Sequence, residues 1–596
     1  MIKKFLLPFL TILFVVIIGW LCRGCFVQLS TPTDADALTY RRAHLALNTL
    51  DPAHGSDTSV NSAMSLVFQP LLEYSYTERP YKLIPGAAEA LPTCNEDGTV
   101  YTFRLREAYY VDDPCFKGKR RRVTAHDFVY GWKRLADKSI GGSGYWIVAN
   151  IKGIPEFSAK SADLMAELHG FTENKKEELL KERRAELYQH EVEGLIALDD
   201  QTLQVTLSKP NNQFLWCLTM CYMAPVPPEA EAYYGKQLAK HPIGAGPYKL
   251  RSWQRGYEMV FDRNPEWFGW KEVDFNGPEV PFETIRYCIV KNALTQWLML
   301  LNGQLDFLEQ IDRSNMDVAV DPEKGLTDEI KARGVKLFVT PANKVYYLGI
   351  NTKDATLGPN KKLRQALNAA FCSDAWKKHY RGRAERLNSV VPHHLEGALQ
   401  TPFAYQYDLD KAKALLAEAG YPGGIDPTTG KQLRLTVEVG NDSADTAESM
   451  ELLASFYAQM GVKLEISVNT WQALQDKIRS GNAQLFLMGW VGDYPDLETF
   501  LQLFISKNTP TPNYSNFTHA EVDACYERAV VSRNPEEITA CWTRIQEIIL
   551  DECPWVLLHS AIDFTLVRDR VLNYMPHNYP YGMEKHYRVK NPRIKE

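Results

Sequence analysis

The chain has little net charge for its length. Its 67 Lys and Arg residues nearly balance its 73 Asp and Glu residues, which leaves a formal charge of −6 over 596 residues. A protein that binds nucleic acid by neutralising phosphates needs a strong positive field, so this balance argues against such a partner. The hydrophobic content of 45% and the charged content of 23% are those of an ordinary globular protein. We therefore expect a globular chain with no nucleic-acid partner.

The chain also lacks the short motifs that mark common enzymes and cofactor sites. It contains no P-loop, no H-E-x-x-H zinc motif and no G-x-S-x-G nucleophile elbow. The 13 His residues are scattered; only His393 and His394 are neighbours, and adjacent residues on a strand point to opposite faces. We expect no catalytic residue, no metal and no cofactor. Paired carboxylates of the glycosidase type stay open, because any two acids can meet in space.

Cysteine is scarce, and nine of the 11 Cys residues follow the first 30 residues. These nine form no Cys-x-x-Cys or Cys/His cluster with zinc spacing. Cys94 and Cys115 flank a predicted hairpin and can form a disulfide in an oxidising compartment. The alternative is that most of the nine are small buried hydrophobic residues, which we expect for at least half of them.

The first 30 residues predict export. Two Lys residues precede the uncharged run 5–21, and Arg23 ends it; this order is typical of a signal or membrane segment. The run is longer than most signal peptides need and close to the lower limit for a membrane span. Two outcomes stay open: a retained membrane anchor, which we slightly favour, or cleavage with a lipid on Cys25. In both, residues 1–30 place the rest of the chain in the periplasm or at the cell surface, tethered to the membrane.

A chain of 596 residues is too long for one hydrophobic core, so its length predicts two to four domains. Predicted strands and helices alternate from about residue 335 to residue 480. This rhythm indicates an α/β fold with a largely parallel sheet, which binds ligands in the crevice beyond the carboxyl ends of its strands. Residues 158–192 are rich in Glu, Lys and Arg and predict an exposed helical insertion.

Residues 489–496 lie where such a crevice is expected. They follow the apolar run 484–488, which has strand length, and Gly492 and Pro495 then break the strand. Asp493 therefore sits just beyond a buried strand. An unpaired buried charge is costly, so this carboxylate must meet a cation or water.

Two acids of this stretch have roles that the residues alone leave open. For Asp493, a structural role and a ligand-binding role are about equally favoured. Asp496 is a candidate N-cap for a helix over residues 497–504.

Several stretches together resemble a known family. They are Arg104-Leu105-Arg106, Thr124-Ala125-His126-Asp127-Phe128, Gly244-Ala245-Gly246-Pro247-Tyr248, Asn264-Pro265-Glu266-Trp267-Phe268, Gly303-Gln304-Leu305-Asp306, Gly420-Tyr421-Pro422, and Trp490 with Asp493-Tyr494-Pro495. In this order, between about residues 43 and 575, they resemble the peptide-binding family of ABC-importer substrate-binding proteins, and within it the oligopeptide-binding proteins. No single stretch is decisive, but the ordered series is specific.

The resemblance implies a periplasmic-binding-protein fold of the α/β class. Two lobes are joined by a hinge of two crossing segments, and the first lobe carries an additional α+β domain. The implied boundaries are 40–68, 200–290 and 555–596 for the first lobe, 69–199 for the additional domain, and 291–554 for the second lobe.

The resemblance also implies that an extended peptide is enclosed between the lobes and pairs with strand-like backbone on both sides. The family's ammonium-binding acid corresponds to Asp493. The other implied ligand-binding residues are Trp490, Gly489, Val491, Trp471, Tyr145, Ser56, Asp57 and Thr58. The residues that receive the peptide carboxylate in oligopeptide binders correspond here to Leu487 and Asp445, which leaves peptide length and the carboxylate partner open.

The resemblance thus implies an exported binding protein, not an enzyme, that captures peptides and delivers them to the permease subunits of an ABC importer. We expect it to act as a monomer. Two alternatives keep the fold: binding of another solute, such as an oligosaccharide or a metal chelate, or a role as a sensor. A secreted hydrolase is least favoured, because no motif offers a nucleophile with its base.

Overall fold

The computed structural model describes residues 34–55, 57–309, 311, 315–321 and 325–594. The predicted leader, residues 1–30, lies outside the described residues. Within the described part of the chain, none of the helices combines the length and the apolar character needed to cross a bilayer.

The strands are numbered in chain order. They are β1 (Thr39–His44), β2 (Leu72–Tyr74), β3 (Leu83–Pro85), β4 (Thr93–Cys94), β5 (Val100–Arg104), β6 (Leu195–Ala197), β7 (Thr202–Thr206), β8 (Tyr248–Gln254), β9 (Glu258–Arg263), β10 (Glu279–Pro281), β11 (Thr284–Ile289), β12 (Phe307–Leu308), β13 (Val320–Asp321), β14 (Gly325–Leu326), β15 (Val335–Ile350), β16 (Ala384–Glu385), β17 (Arg434–Val439), β18 (Lys463–Val468), β19 (Leu485–Val491), β20 (Trp555–Arg568) and β21 (Arg588–Lys590).

The helices are named by their residues. The α-helices are Asp34–Ala37, Thr58–Val67, Ala125–Ala136, Tyr145–Val148, Ile154–Glu167, Glu173–Gln189, Phe214–Cys217, Pro228–Tyr234, Ala293–Leu301, Met316–Ala319, Asp328–Lys331, Lys361–Ala369, Ser373–His379, Leu409–Glu418, Ala444–Ala458, Trp471–Arg479, Glu498–Leu501, Ala520–Val531 and Pro535–Glu552. The short 3-10 helices are Pro52–His54, Pro114–Phe116, Cys221–Met223, Gly235–Lys240, Phe268–Glu272, Pro422–Gly424, Gln502–Phe504, Ser506–Asn508 and Met583–His586.

The largest sheet of the described residues has eleven strands, in the order β18-β17-β19-β15-β20-β12-β1-β11-β9-β8, with β16 beside β20. At one end, β17 pairs in parallel with β18 and β19. At the other end, β1 pairs in parallel with β11 and β12, whereas β8, β9 and β11 are antiparallel neighbours. The sheet is mixed, not largely parallel as predicted, because β15 runs antiparallel to both β19 and β20.

The predicted strands and helices of this region are present, and they alternate as predicted. Strand β17 is followed by helix Ala444–Ala458, then by β18 and helix Trp471–Arg479. Strand and helix bury their apolar faces together, as the fully buried Val437 and Leu453 in one hydrophobic cluster illustrate. The period-2 and period-3.6 patterns of this part of the chain therefore predict its structure correctly.

Two long strands connect the two ends of the sheet. β15 has 16 residues and β20 has 14. Residues 335–341 of β15 pair with the last part of β20, beside β12, whereas residues 344–350 pair with β19. The register of β15 against β20 shifts between Pro341 and Val345. We call the β1, β8, β9, β11 and β12 end the first lobe and the β17–β19 end the second lobe; β15 and β20 join them at this interruption of the ladder.

The predicted domain boundaries stay predictions, but the pairing argues for one change. β12 lies beside β1, in the first lobe. Residues 335–341 also lie on the first-lobe side of the register shift. We therefore propose that the second lobe begins near residue 342 rather than at residue 291.

A separate sheet of four strands, in the order β4-β5-β7-β6, forms the additional domain. Helix Ala125–Ala136 begins at a capping box, in which Asp127 accepts a hydrogen bond from the backbone N–H of Thr124 at 2.8 Å. Phe128 and Trp132 of this helix are fully buried in the core of the domain. The box and the apolar spacing thus fix where this helix starts and which face it buries.

The insertion predicted at residues 158–192 is confirmed as helical. Helices Ile154–Glu167 and Glu173–Gln189 occupy it. Of the second helix, only Leu187 is buried. Most of its charged residues face solvent, as the composition predicts, but Arg184 pairs with the buried Asp137 at 2.9 Å and with Glu231 at 2.8 Å.

All nine Cys residues in the described part of the chain are free thiols. Cys94 is exposed on β4, whereas Cys115 is buried in the 3-10 helix Pro114–Phe116. The predicted disulfide between them is therefore wrong. Six of the nine are buried, which confirms the prediction that at least half serve as small hydrophobic residues.

One buried cation connects the additional domain to the first lobe. Arg134, on helix Ala125–Ala136, donates to both carboxylate oxygens of Asp51 at 2.8 and 2.9 Å and to Glu231 at 2.7 Å. Burial alone would raise the pKa of Asp51, but the Arg134 guanidinium holds it well below its usual range. Asp51 depends mainly on this guanidinium for its charge balance, whereas Glu231 is also paired with Arg184 at 2.8 Å.

Replacement of Arg134 should be strongly destabilising. Arg134→Ala removes the guanidinium from the buried Asp51 carboxylate and one of the two guanidinium partners of Glu231, and we expect the free energy of unfolding to fall by about 3–5 kcal/mol at neutral pH. Urea unfolding followed by circular dichroism measures it. The matched control is Arg183→Ala, at an exposed Arg of helix Glu173–Gln189, which should change stability by no more than about 0.5 kcal/mol. A loss below about 1 kcal/mol for Arg134→Ala would show that this ion pair does not hold the domain in place.

Candidate functional site

A cavity of about 600 Å³ lies between the two lobes. The first lobe and the segments beside it contribute Asp57, Thr58, Asn61, Glu73, Tyr74, Tyr222, Tyr579, Tyr581 and Lys585 to its wall. The additional domain contributes Ser143, Gly144 and Trp146, and the second lobe contributes Trp490, Val491, Gly492, Asp493, Gln502, Asn508, Thr511 and Pro512. This volume is within the range of small-molecule and peptide sites. Because both lobes supply its wall, any movement at the hinge changes its shape.

Asp493 projects into this cavity from the second lobe. It stands two residues beyond the end of β19, and its side chain is exposed to the cavity. Thr499 is its only hydrogen-bond partner among the described residues: the Thr499 hydroxyl accepts from the Asp493 N–H at 2.9 Å and donates to the carboxylate at 3.3 Å. No Lys, Arg or His in the described part of the chain forms an ion pair with it.

The protein atoms around Asp493 disfavour its charge. Burial raises the pKa of its carboxyl to about 6, against a smaller lowering by the hydrogen bond from Thr499. At neutral pH the group is therefore mainly a carboxylate that lacks a protein cation. A ligand ammonium group placed beside it would supply the missing charge.

Two further acids lie behind Asp493. Asp496 accepts a hydrogen bond from the Glu498 backbone N–H at 2.8 Å and one from Gln213 at 3.3 Å. It thereby satisfies an amide of the first turn of helix Glu498–Leu501, whose N-cap residue is Leu497. The predicted N-cap role of Asp496 is thus displaced by one residue, although its carboxylate still bonds the start of the helix.

Glu498 is buried and accepts hydrogen bonds from the hydroxyl groups of Tyr494 and Tyr526. Burial, together with the nearby carboxylates of Asp496 and Asp493, raises the pKa of Glu498 to about 7, against a lowering by the two tyrosine hydrogen bonds. Its charge is balanced by no base among the described residues. The charged groups that lie behind Asp493 are therefore acids rather than cations.

The facing wall of the cavity begins at Asp57. Its carboxylate accepts hydrogen bonds from the backbone N–H groups of Ser59 and Val60, at 2.8 and 2.9 Å, and so caps helix Thr58–Val67. Asp57 and Thr58 both line the cavity, as expected from the sequence. The third predicted residue of this segment, Ser56, lies outside the described residues.

The end of β19 forms the second-lobe wall. Gly489 pairs with Tyr346 of β15, Trp490 pairs with Val345, and Val491 pairs with Lys344. Trp490 and Val491 line the cavity. The indole N–H of Trp490 is buried and has no hydrogen-bond partner in the described part of the chain.

Three predicted site residues, Gly489, Trp471 and Tyr145, do not line the cavity. Trp471 is 53% exposed at the start of its helix, where its ring lies next to Gly440. Tyr145 lies under the Lys138 ammonium, 4.2 Å from the ring centroid, and packs against the core of the additional domain. Its neighbour Trp146 lines the cavity instead. The one-turn helix Tyr145–Val148 separates adjacent side chains by about 100°, so one residue faces the core and the next faces the ligand space.

Four tyrosines of the wall were missed by the sequence analysis: Tyr74, Tyr222, Tyr579 and Tyr581. Tyr74 stacks on Tyr579 with ring centroids 4.9 Å apart. These residues come from separate loops and short strands, which have no periodic pattern to mark them. The only local signal was the Tyr579-Pro580-Tyr581-Gly582 turn sequence near the C-terminus.

The chain belongs to a known family. Residues 82–511, most of the chain, match the bacterial extracellular solute-binding proteins, family 5, middle part. Heme-binding protein A of Haemophilus influenzae is 26% identical over 543 residues, which cover 89% of this chain and 88% of that protein. The probable di/tripeptide-binding protein 5 of Pseudomonas aeruginosa is 24% identical over 90% of this chain and 92% of that protein.

Solved structures agree with this assignment. The periplasmic binding protein DppA of Helicobacter pylori, in complex with the peptide STSA, has a TM-score of 0.71 at 22% identity and covers 93% of this chain and 98% of that one. The murein tripeptide binding protein MppA of Escherichia coli has a TM-score of 0.70 at 20% identity, with 93% and 98% coverage. The family and the two-lobed α/β fold class predicted from the sequence are confirmed.

Gly492 is required by the packing between the lobes. A Cβ atom at this position would lie 2.1 Å from the amide nitrogen of Asn343, which in turn donates to the hydroxyl of Tyr579 at 2.6 Å. Gly492 also donates its backbone N–H to the Asn343 carbonyl at 2.9 Å. Asn343 lies within the register shift of β15, so these contacts connect both lobes at the hinge.

Gly492→Ala should therefore be destabilising. We expect the free energy of unfolding to fall by about 1–3 kcal/mol, because the added methyl group must displace Asn343. Gly277→Ala is the control: its Cβ would meet the exposed side chain of Asp274 at 3.1 Å and the Asp274 carbonyl at 3.4 Å, and should cost less than about 0.5 kcal/mol. Equal urea midpoints for the two variants would contradict the tight contact at Gly492.

Proposed function

We propose that this protein captures peptides in the interlobe cavity and delivers them to an ABC importer. The observation that carries the proposal is Asp493, a carboxylate that faces a 600 Å³ cavity and forms no ion pair with the described residues. A peptide brings the ammonium group that this carboxylate lacks. Proteins of similar sequence are named for di- and tripeptide binding, and a structure with the same fold holds a tetrapeptide; both support the proposal.

The peptide is held mainly through its backbone. The end of β19, residues 489–491, offers extended main chain on one side, and Asp57 and Thr58 begin the facing wall. Main-chain hydrogen bonds do not depend on side-chain identity, so peptides of different sequence fit the same strand-like slot. The indole N–H of Trp490 adds one donor that has no partner among the described residues.

Capture proceeds by closure at the hinge. Ligand contacts made by both lobes exist only in the closed arrangement, so bound peptide stabilises that state by its difference in affinity. Asn343 sits between Gly492 and Tyr579 at the junction of the lobes. Closure therefore moves Asp493 and the tyrosines of the opposite wall toward the same ligand.

A second solute class deserves a test, because one similar protein is named for haem binding. Haem carries two carboxylate groups. The cavity presents Asp57 and Asp493 to any such ligand, and like charges repel in a site of low dielectric. The charge of the wall therefore favours an amine-bearing peptide. Mass spectrometry of the freshly purified protein identifies whichever ligand co-purifies.

The protein acts outside the cytoplasm, held to the membrane by its first 30 residues. The positively charged start and the uncharged run 5–21 support a retained anchor; lipid attachment at Cys25 is the alternative. The protein is a carrier without catalytic residues, and it works as a monomer with the permease as its partner. Detergent extraction of membranes, followed by intact mass, distinguishes the two forms of tether.

Asp493→Asn should weaken peptide binding. The substitution keeps the size of the side chain but leaves the ligand ammonium without its counter-charge, at a cost of about 2–5 kcal/mol, or about 30-fold or more in affinity. Titration calorimetry with a tripeptide measures it. Asp442→Asn, an exposed acid of the same lobe, serves as the control and should bind as the unmodified protein does. Unchanged affinity for Asp493→Asn would remove the ammonium-binding role.

Peptide affinity should also fall in acid. Burial raises the pKa of Asp493 to about 6 in the ligand-free protein, and a bound ammonium lowers it because it stabilises the carboxylate. Binding is therefore strongest at about pH 7 to 7.5 and weakens as the pH falls through 6, by about tenfold at pH 5, while an α-amino group of pKa near 8 stays mainly charged over this range.

Calorimetry at several pH values between 5 and 7.5 checks this dependence. Asp493→Asn lacks the carboxyl that contacts the ligand ammonium, so its residual affinity should vary much less over this range, although Glu498 behind it, whose pKa is raised to about 7, still titrates. A level profile for the unmodified protein would mean that the Asp493 proton does not compete with the ligand.

A further inference from the structure

The cavity wall has an uneven set of charges. Among the described residues that line it, four have side chains of a type that is charged at neutral pH: Asp57, Glu73, Asp493 and Lys585. Three are acids and one is a base. Which ligands the cavity accepts depends on whether that base is available to them.

Lys585 already forms an ion pair with Glu73. Its ammonium nitrogen lies 2.6 Å from the Glu73 carboxylate, and the two side chains are only 7% and 17% exposed. Gln69 donates a second hydrogen bond to Glu73 at 2.5 Å. Burial opposes the charge of Glu73, but Lys585 lowers the pKa of this acid below its usual value. The pair is therefore a neutral unit within the wall, and a ligand anion would have to break it.

The two other acids have no such base. Asp57 is bonded to two backbone N–H groups of its helix, and Asp493 to the hydroxyl of Thr499. Asp496 and Glu498, behind Asp493, form no ion pair in the described part of the chain either. The field inside the cavity is negative, and low dielectric strengthens it.

The tyrosine side chains of the wall also favour positively charged ligands. Burial raises the pKa of Tyr74, Tyr222, Tyr579 and Tyr581, and the charge of Asp493 raises each of them further. Neutral tyrosine rings offer negative π faces, which attract ammonium and guanidinium groups. Carboxylates and rings thus favour the same kind of ligand.

We propose that the cavity selects peptides that bring net positive charge into it and that it does not recognise a terminal carboxylate. Preferred ligands carry a Lys- or Arg-like side chain next to their amino terminus. Their carboxyl end is either uncharged or extends beyond the cavity. This inference rests on the proposed peptide-binding function and specifies its ligand class.

Matched tripeptides test the inference on the full-length protein. Ala-Lys-Ala, Ala-Ala-Ala and Ala-Glu-Ala are each titrated as the free acid and as the C-terminal amide, at pH 7.5 and low salt. We expect the Lys peptide to bind about tenfold more tightly than the Ala peptide and the Glu peptide at least tenfold less tightly. Each amide should bind at least as tightly as its acid.

The outcomes distinguish a failure of the charge preference from a failure of the proposed peptide-binding function. If a free acid binds more than about tenfold tighter than its amide, or if the Lys and Glu peptides bind equally, the charge preference is wrong while peptide binding stands. If none of the six peptides binds, the proposed function itself fails, and the charge preference with it.

A variant of the wall gives a second readout. Glu73→Gln removes the partner of Lys585 and frees its ammonium group, so the preference should shift toward free acids by about tenfold relative to amides. Glu89→Gln, which alters an exposed acid paired with Arg104, should leave the ratio unchanged. An unchanged ratio in Glu73→Gln would show that the Lys585–Glu73 pair does not set the carboxylate discrimination and would overturn that part of the inference.

Discussion

The structure depends on one unbalanced charge, the carboxylate of Asp493 in the cavity between the lobes. A fully enclosed carboxylate with no cation would cost several kcal/mol. This one is tolerated because it faces a cavity and because Thr499 bonds both its backbone and its side chain. The protein has not paired it internally, and behind it stand Asp496 and Glu498 rather than a base. The cost is partly retained in the ligand-free state, and a cationic ligand removes it.

The hinge places that charge where a ligand can meet it. Two continuous strands, β15 and β20, cross between the lobes, and their ladder is interrupted next to Asn343. The side chain of Asn343 reaches Tyr579, and its carbonyl receives the N–H of Gly492. Gly492 immediately precedes Asp493. A small rotation at this point therefore changes the distance between the acid and the tyrosine wall, which couples ligand contact to closure.

The sequence predicts the regular parts well. The apolar run 484–488 and the breakers Gly492 and Pro495 place Asp493 at the end of a strand, because strand length and turn chemistry are local properties. The mixed direction of the sheet was not predictable, since it follows from β15 and β20 passing between lobes. Trp146 was missed in favour of Tyr145, because a single helical turn leaves its orientation to tertiary packing. Tyr579 and Tyr581 belong to a segment without periodicity, so only the fold brings them to the site.

Main-chain hydrogen bonds and charged side chains contribute to ligand binding in different ways. Extended backbone accepts any peptide sequence, so hydrogen bonds along 489–491 supply affinity without discrimination. Discrimination then has to come from groups that differ between ligands, and formal charge is the largest such difference in a site of low dielectric. Lys585, held by Glu73, is the one base of the described wall, and its neutralisation gives the whole cavity a single sign. Such a carrier can bind peptides of many sequences and still select them by charge, because backbone atoms supply the affinity and charged side chains supply the selectivity.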